Sequence, residues 1–118
     1  MPINNALAGI AVNDVAAAVT WYEQLLSRPP DSRPMDGLAE WRFTKGGWIQ
    51  VFQDAHRAGS SSVTLAVSNL DELLSELKQK GIGVEHTTVS KMVKTAIATD
   101  PDGNQIVFAE ALTDAIAQ

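Results

Sequence analysis

Residues 7–15 read LAGIAVNDV, and a stretch of the same pattern, SVTLAVSNL, occupies residues 62–70, 55 positions later. Each stretch is an apolar run that reaches an aspartate or asparagine and then another apolar residue. This pattern predicts a β-strand leading directly into a helix, because Asp and Asn side chains accept hydrogen bonds from the free amides of a first helical turn. The fixed repeat distance indicates that the chain is built from two similar halves.

The helix of each half has recognisable ends. After Asn69, leucines recur at positions 70, 73, 74 and 77, which places them on one helical face. Asn69 and Glu72 have the spacing of a capping box, and Gly81 is a suitable residue to end this helix. In the first half, the run Ser27-Arg28-Pro29-Pro30 stops the helix because proline cannot continue it.

Three strands follow each helix. A hairpin turn is expected at Lys45-Gly46-Gly47 in the first half and at Asp100-Pro101-Asp102-Gly103-Asn104 in the second, with 57 positions between Gly46 and Gly103. The predicted fold class is therefore α+β, with two βαβββ modules. We expect one domain over residues 1–118, with module one at about 1–56 and module two at about 57–118.

Two short motifs resemble those of the vicinal-oxygen-chelate superfamily of glyoxalases, bleomycin-resistance proteins and extradiol dioxygenases. One is Ile10-Ala11-Val12-Asn13-Asp14 before a helix that contains Trp21-Tyr22, and the other is Asp100-Pro101-Asp102-Gly103-Asn104 before the last strand. The resemblance covers residues 7–110. It implies half-barrel sheets around a shared cavity, commonly with a homodimer completing the site. Because one fold serves many functions, the site residues must be considered individually.

The resemblance also implies where a metal ion would be bound. Metal-using relatives carry ligands on the first and last strands of both modules, and the matching positions here are Leu7, Gln50, Ser62 and Val107. Leucine and valine have no donor atom, serine is a weak neutral donor, and one glutamine amide does not hold an ion alone. We therefore expect no metal and no other cofactor.

No other catalytic constellation is apparent. His56 and His86 fall outside the ligand positions, and no paired carboxylate or second histidine stands at ligand spacing from either. Ser62 has no neighbouring base in the sequence that would activate it as a nucleophile. The sequence therefore nominates no catalytic residue.

Composition excludes several classes of partner. Nine Lys and Arg against 14 Asp and Glu give a formal charge of −5, with no cluster of basic residues, which argues against nucleic acid. No apolar stretch approaches the roughly 20 residues that span a bilayer, so a membrane partner is not expected. The sequence has no cysteine and begins without a secretory-type segment, which predicts a cytoplasmic protein.

Strand alternation predicts which side chains line the cavity. If Gln50 points inward, so do Trp48 and Phe52, since alternate residues share a face. A two- or four-residue turn would pair Trp41 with Gln50 and Phe43 with Trp48, adding two more rings to that face. From the second module we expect Ser62 and Gln105 to contribute. These seven residues are the predicted ligand-binding set.

The first hypothesis for function is a metal-free protein that sequesters or senses a small organic molecule, with the aromatic residues as its slot and Gln50 as its polar group. A second is an enzyme of the same family, a lyase, isomerase or dioxygenase, whose active site is displaced or needs no metal. A third is a structural or interaction module. On that view the aromatic residues form core or a dimer interface.

Overall fold

The computed structural model describes residues 2–114, which form two compact units. Residues 2–61 and 101–104 make up the first unit, and residues 62–100 and 105–114 make up the second. Each unit has one helix and one four-stranded sheet, so the predicted α+β class and the twofold βαβββ order are confirmed. Residues 1 and 115–118 of the expected domain lie outside the described part of the chain.

The first unit has a mixed sheet with strand order β1-β4-β3-β2. Its elements are β1 (Leu7–Val12), α1 (Val15–Leu26), β2 (Ser32–Met35), β3 (Leu38–Arg42) and β4 (Trp48–Gln53). β1 runs parallel to β4, whereas β3 is antiparallel to both β4 and β2. A parallel pair needs a long crossover between its strands, and α1 with the β2–β3 hairpin supplies it.

The second unit repeats this topology with strand order β5-β8-β7-β6. Its elements are β5 (Ser62–Ala66), α2 (Leu70–Gln79), β6 (Glu85–Val89), β7 (Val93–Thr99) and β8 (Gln105–Ala111). β5 is parallel to β8, as β1 is to β4. At 12 and 10 residues, neither helix of the described chain has the length and apolar character that a membrane span requires.

Both helices begin at the residues that the sequence indicated. The Asp14 carboxylate accepts hydrogen bonds from the amides of Ala16 and Ala17, at 2.9 and 3.4 Å, and the Asn69 side chain accepts one from Glu72 at 3.0 Å. These bonds satisfy amides that have no partner within the helix. α1 ends at Ser27, which takes the left-handed conformation and is separated from the two prolines only by Arg28.

The last strand of each unit also caps the helix of that unit. The Gln53 side chain at the end of β4 accepts a hydrogen bond from the Val15 amide at 3.1 Å. The Glu110 side chain on β8 accepts one from the Leu70 amide at 2.7 Å. Gln53 and Glu110 are 57 positions apart, the same distance as the two turn glycines, so the repeat extends to this side-chain contact.

Each sheet buries one face with its helix. In the first unit the largest buried side chains are Tyr22 of α1 and Trp41 of β3, neither with exposed surface, and their ring centres are 6.1 Å apart. The Trp41 indole nitrogen donates a hydrogen bond to the carbonyl oxygen of Arg28 at 3.0 Å. Burial of two large rings with a satisfied polar atom makes this the main apolar cluster of the unit.

A charged contact holds the segment before β2. The Arg28 guanidinium lies 2.5 Å from the Asp31 carboxylate, which also accepts a hydrogen bond from the Arg42 amide at 2.7 Å. These two interactions hold the pKa of Asp31 below its usual range, and the Arg28 guanidinium has the larger effect. Arg28 also donates to the Arg42 carbonyl, so the loop between α1 and β2 is tied to the end of β3.

The turn at 101–104 belongs to the first unit and contains its one buried asparagine. The side chain of Asn104 donates to the Ala11 carbonyl at 2.7 Å and accepts from the Ser61 amide at 2.8 Å. Ser61 in turn accepts, through its hydroxyl, a hydrogen bond from the Ala11 amide at 3.1 Å. Both backbone groups of Ala11, on the free edge of β1, are therefore satisfied by side chains.

Replacing Asn104 with alanine should lower the free energy of unfolding by at least about 2 kcal/mol, because it removes the partners of two backbone groups and leaves a cavity. Urea denaturation measures the loss. Gln105→Ala is the matched control, since the neighbouring side chain is exposed and its removal should cost no more than about 0.5 kcal/mol. Equal stability of the two variants would contradict the structural role of Asn104.

Gly59 passes so close to this turn that a side chain cannot be accommodated. Its φ is +90°, and a Cβ placed there would lie 2.5 Å from the Asp102 carbonyl oxygen. Gly59→Ala should therefore destabilise the protein by about 2 kcal/mol or more in thermal or urea unfolding. Gly47→Ala is the control, because a Cβ at Gly47 meets nothing within 4 Å. A Gly59→Ala protein as stable as Gly47→Ala would show that the 101–104 turn does not approach as described.

Candidate functional site

The β3–β4 hairpin decides which side chains share a face. Arg42 pairs with Trp48, and beyond them the Phe43 amide donates to the Gly47 carbonyl at 2.8 Å. Three residues, 44–46, therefore form the turn, and Gly46 takes a φ of +100° within it. The expected two- or four-residue turn is wrong. Because an odd turn length shifts the pairing by one residue, every assignment across the hairpin changes face.

Trp41 consequently pairs with Ile49 and not with Gln50. It lies on the helix side of the sheet, fully buried beside Tyr22, so its predicted placement next to Gln50 is wrong. Phe43 does not pair with Trp48 either. It follows the end of β3, is half-buried, and its backbone closes the turn.

Trp48, Gln50 and Phe52 do share a face, as their alternation predicts, and all three are half-buried. Their partners on β3 are Arg42, Glu40 and Leu38, in that order, and their partners on β1 are Leu7, Gly9 and Ala11. We call the side of the sheet that carries these residues the Gln50 face. It is defined by Leu7, Gly9, Ala11, Leu38, Glu40, Arg42, Trp48, Gln50 and Phe52, together with Ser32 of β2, which pairs with Glu40.

A hydrogen-bonded group of three polar side chains occupies the middle of this face. The Glu40 carboxylate accepts a hydrogen bond from the Gln50 amide nitrogen at 2.6 Å and another from the Ser32 hydroxyl at 2.9 Å. All three side chains are half-buried. The sequence analysis missed Glu40 and Ser32, although a three-residue turn with glycine in its third position would have paired Glu40 with Gln50.

An aromatic ring stands on each side of Gln50 along β4, and each ring has an arginine over it. The Arg42 guanidinium lies 5.8 Å from the centre of the Trp48 ring, and that of Arg57 lies 5.2 Å from the centre of the Phe52 ring. Such cation–π contacts orient the rings and the guanidinium groups together. Gly9 leaves room for Phe52, since a Cβ there would lie 3.1 Å from a ring carbon.

Ser62 and Gln105, the remaining predicted site residues, lie in the second unit. They are direct partners in the β5–β8 ladder and both are exposed. Val107 pairs with Thr64 two positions further along the same ladder. On β5 and β8 the corresponding face of this sheet thus carries small or neutral side chains, in contrast to the rings of the first unit.

The residues at the expected metal positions do not fit a divalent ion. Leu7 and Val107 offer no donor, and the Ser62 hydroxyl and the Gln50 amide oxygen are neutral donors, too few and too weak to hold a divalent ion by themselves. Within residues 2–114, no three His, Cys, Asp or Glu side chains come close enough to hold a metal ion. His56 and His86 are both exposed and belong to no such group. The donor set of a zinc, manganese or iron site is not assembled from these residues.

Several solved structures resemble the chain. A glyoxalase/bleomycin resistance protein from Catenulispora acidiphila DSM 44928 gives a TM-score of 0.84 at 32% identity, over 92% of this chain and 98% of that one. TnmS3, an antibiotic-binding protein from Streptomyces sp. CB03234, gives 0.81 at 18% identity, over 94% and 98%. A bleomycin-binding protein complexed with bleomycin gives 0.75 at 18% identity, over 92% and 98%.

The last two similarities, below 25% identity, concern the fold alone. Comparison with curated proteins found no match. The family model of the Glyoxalase/Bleomycin resistance protein/Dioxygenase superfamily matches residues 4–108, and the chain belongs to that superfamily.

Proposed function

We propose that this chain is a small-molecule-binding member of its superfamily that works as a homodimer, without a metal ion, and holds an organic ligand against the Gln50 face. The observation that carries the proposal is the composition of that face. It leaves two half-buried rings and a polar group accessible on a sheet whose other side is packed with its helix.

Such a face has the elements of a ligand site. Apolar rings supply most of the binding free energy, at roughly 25 cal/mol for each Å² removed from water, and a few fixed polar groups supply orientation. Trp48 and Phe52 are the rings, and Ser32, Glu40 and Gln50 are the polar groups. The hydrogen bonds among these three side chains fix them before a ligand arrives, which reduces the entropy lost on binding.

The side chains at the family's metal-ligand positions support a function without a bound metal ion. The chemistry that a bound ion would supply to metal-using relatives is polarisation of a substrate oxygen or activation of water. In this chain two of the four matching positions, Leu7 and Val107, carry no donor atom, and the other two, Gln50 and Ser62, carry only neutral oxygen donors. Sequestration or sensing requires only binding. An antibiotic-binding protein and a bleomycin-binding protein have the same fold, which supports a binding role.

Trp48→Ala should weaken the binding of aromatic fragments about five- to thirtyfold, because loss of one contacting ring costs on the order of 1–2 kcal/mol. A library of aromatic fragments is screened by ¹H–¹⁵N correlation NMR on the ¹⁵N-labelled protein. Fragments that bind should shift the Trp48 indole and the Gln50 side-chain amide signals. Trp21→Phe is the control, since Trp21 lies on α1, where its ring centre is 4.8 Å from that of Tyr22. Fragments that bind with unchanged affinity to Trp48→Ala would contradict the proposed site.

Purified protein should contain no stoichiometric metal and should not acquire one from a solution of Zn²⁺, Mn²⁺, Ni²⁺ or Fe²⁺, since only two of the side chains at the family's ligand positions carry a donor atom and both are neutral. Elemental analysis after dialysis measures this. Light scattering on the same samples gives the oligomeric state that the proposal includes. One tightly held ion per chain would overturn the metal-free proposal.

A further inference from the structure

We infer that the centre of the Gln50 face selects ligands by hydrogen-bond polarity, accepting N–H or O–H groups and favouring positively charged donors such as amidinium over carboxylates. Glu40 is the residue that sets this preference. The inference rests on the proposed function and specifies the class of ligand that the same site takes.

The polarity follows from the chemistry of Glu40. A carboxylate only accepts hydrogen bonds, so any group that approaches it closely must donate. The Gln50 side-chain atom 2.6 Å from Glu40 must therefore be the amide nitrogen, and Ser32 must direct its hydroxyl hydrogen toward the other carboxylate oxygen, 2.9 Å away. Glu40 thereby fixes the orientation of both neighbours.

What these groups leave for a ligand is mostly acceptor capacity. The amide oxygen of Gln50 makes no hydrogen bond with any described residue, and the Ser32 oxygen and the two Glu40 oxygens keep lone pairs. The only donor left in the group is the second amide hydrogen of Gln50. A ligand with several N–H or O–H groups would match this set, whereas a ligand carboxylate would meet acceptors that it cannot satisfy.

The charge of Glu40 is also available to a ligand. Among residues 2–114, no lysine, arginine or histidine nitrogen lies within 4.0 Å of its carboxylate. The arginines beside this group lie over the two rings. Arg42 lies over Trp48, and Arg57 lies over Phe52 with its guanidinium 3.8 Å from Asp54. A cationic ligand group would therefore supply the ion pair that Glu40 lacks within the described chain.

The rings determine what the rest of the ligand must be. Trp48 and Phe52 stand two residues to either side of Gln50 on one strand, which places each about 7 Å from it along the strand. A flat apolar body centred on Gln50 can contact both rings at once. The favoured ligand is therefore a planar aromatic compound that carries an amidine, guanidine or amine group.

Three naphthalene probes of the same shape test this inference: naphthalene-2-carboxamidine, the 2-carboxamide and the 2-carboxylate. Binding to the whole protein is followed by NMR shifts of the Trp48 indole and the Gln50 side-chain amide. The amidine should bind at least about tenfold more tightly than the carboxylate, with the carboxamide between them. In Glu40→Gln this ratio should fall below about twofold, because a neutral amide can donate as well as accept.

Glu76→Gln is the matched control. It removes one negative charge from an exposed position on α2 of the second unit and should leave the ratio unchanged. An equal fall in both variants would mean that net charge, and not Glu40, sets the preference. The wild-type ranking of the three probes needs no variant, so it decides the polarity of the site even if Glu40→Gln folds poorly.

The outcomes separate the inference from the proposed function. If the carboxylate binds as tightly as the amidine and shifts Trp48, the site exists and the inference about its polarity is wrong. If none of the three probes shifts Trp48 or Gln50, the proposed function of this face is contradicted as well.

Discussion

The pairing of β3 with β4 is the constraint on which the site depends. A three-residue turn closed by the Phe43 amide and the Gly47 carbonyl aligns Glu40 with Gln50 and Trp41 with Ile49. Side chains alternate along a strand, so this one alignment sends Trp41 into the core and Glu40 onto the Gln50 face. A shift of one residue would bury a carboxylate against α1 and expose an indole. The cost of burying an unpaired charge keeps the register unique.

Because of this register, one side of the sheet in the first unit forms the core and the other side carries the candidate site. On one side, Tyr22 and Trp41 are fully buried and the single indole nitrogen has a partner, which stabilises the unit. On the other side, two rings and three polar side chains stay half-buried, with polar atoms that bond mainly to one another. Apolar area left partly exposed contributes less to folding than it could, and it remains available for binding. The buried side of the sheet, packed against α1, holds the strands in place and so positions the side chains of the Gln50 face.

The two halves use the same structural contacts but have diverged in the residues they present. Gln53 and Glu110 cap the two helices from equivalent strand positions, and Asp14 and Asn69 cap them from within. The turn before the last strand is a short glycine turn in the first half. In the second half it is a five-residue motif whose Asn104 is buried and bonded to Ala11 and Ser61. The contacts that build each module recur, whereas the open sheet face carries aromatic rings on β4 of the first unit and none on β5 or β8 of the second.

The sequence by itself determined the elements and the family. The helix starts at Asp14 and Asn69 and the helix end before Pro29 were predicted, because they depend on interactions within a few residues. The twofold βαβββ order was predicted from the sequence repeat. The motif at 100–104 likewise indicated the superfamily that the family model confirms. Only the tertiary structure decided the composition of the site. Whether Trp41 or Glu40 accompanies Gln50 depends on the length of one turn, and periodicity within a strand is the same for either register. Glu40 and Ser32 were missed because their role arises from contacts across strands, and the buried role of Asn104 was missed because its partners lie 43 and 93 residues away.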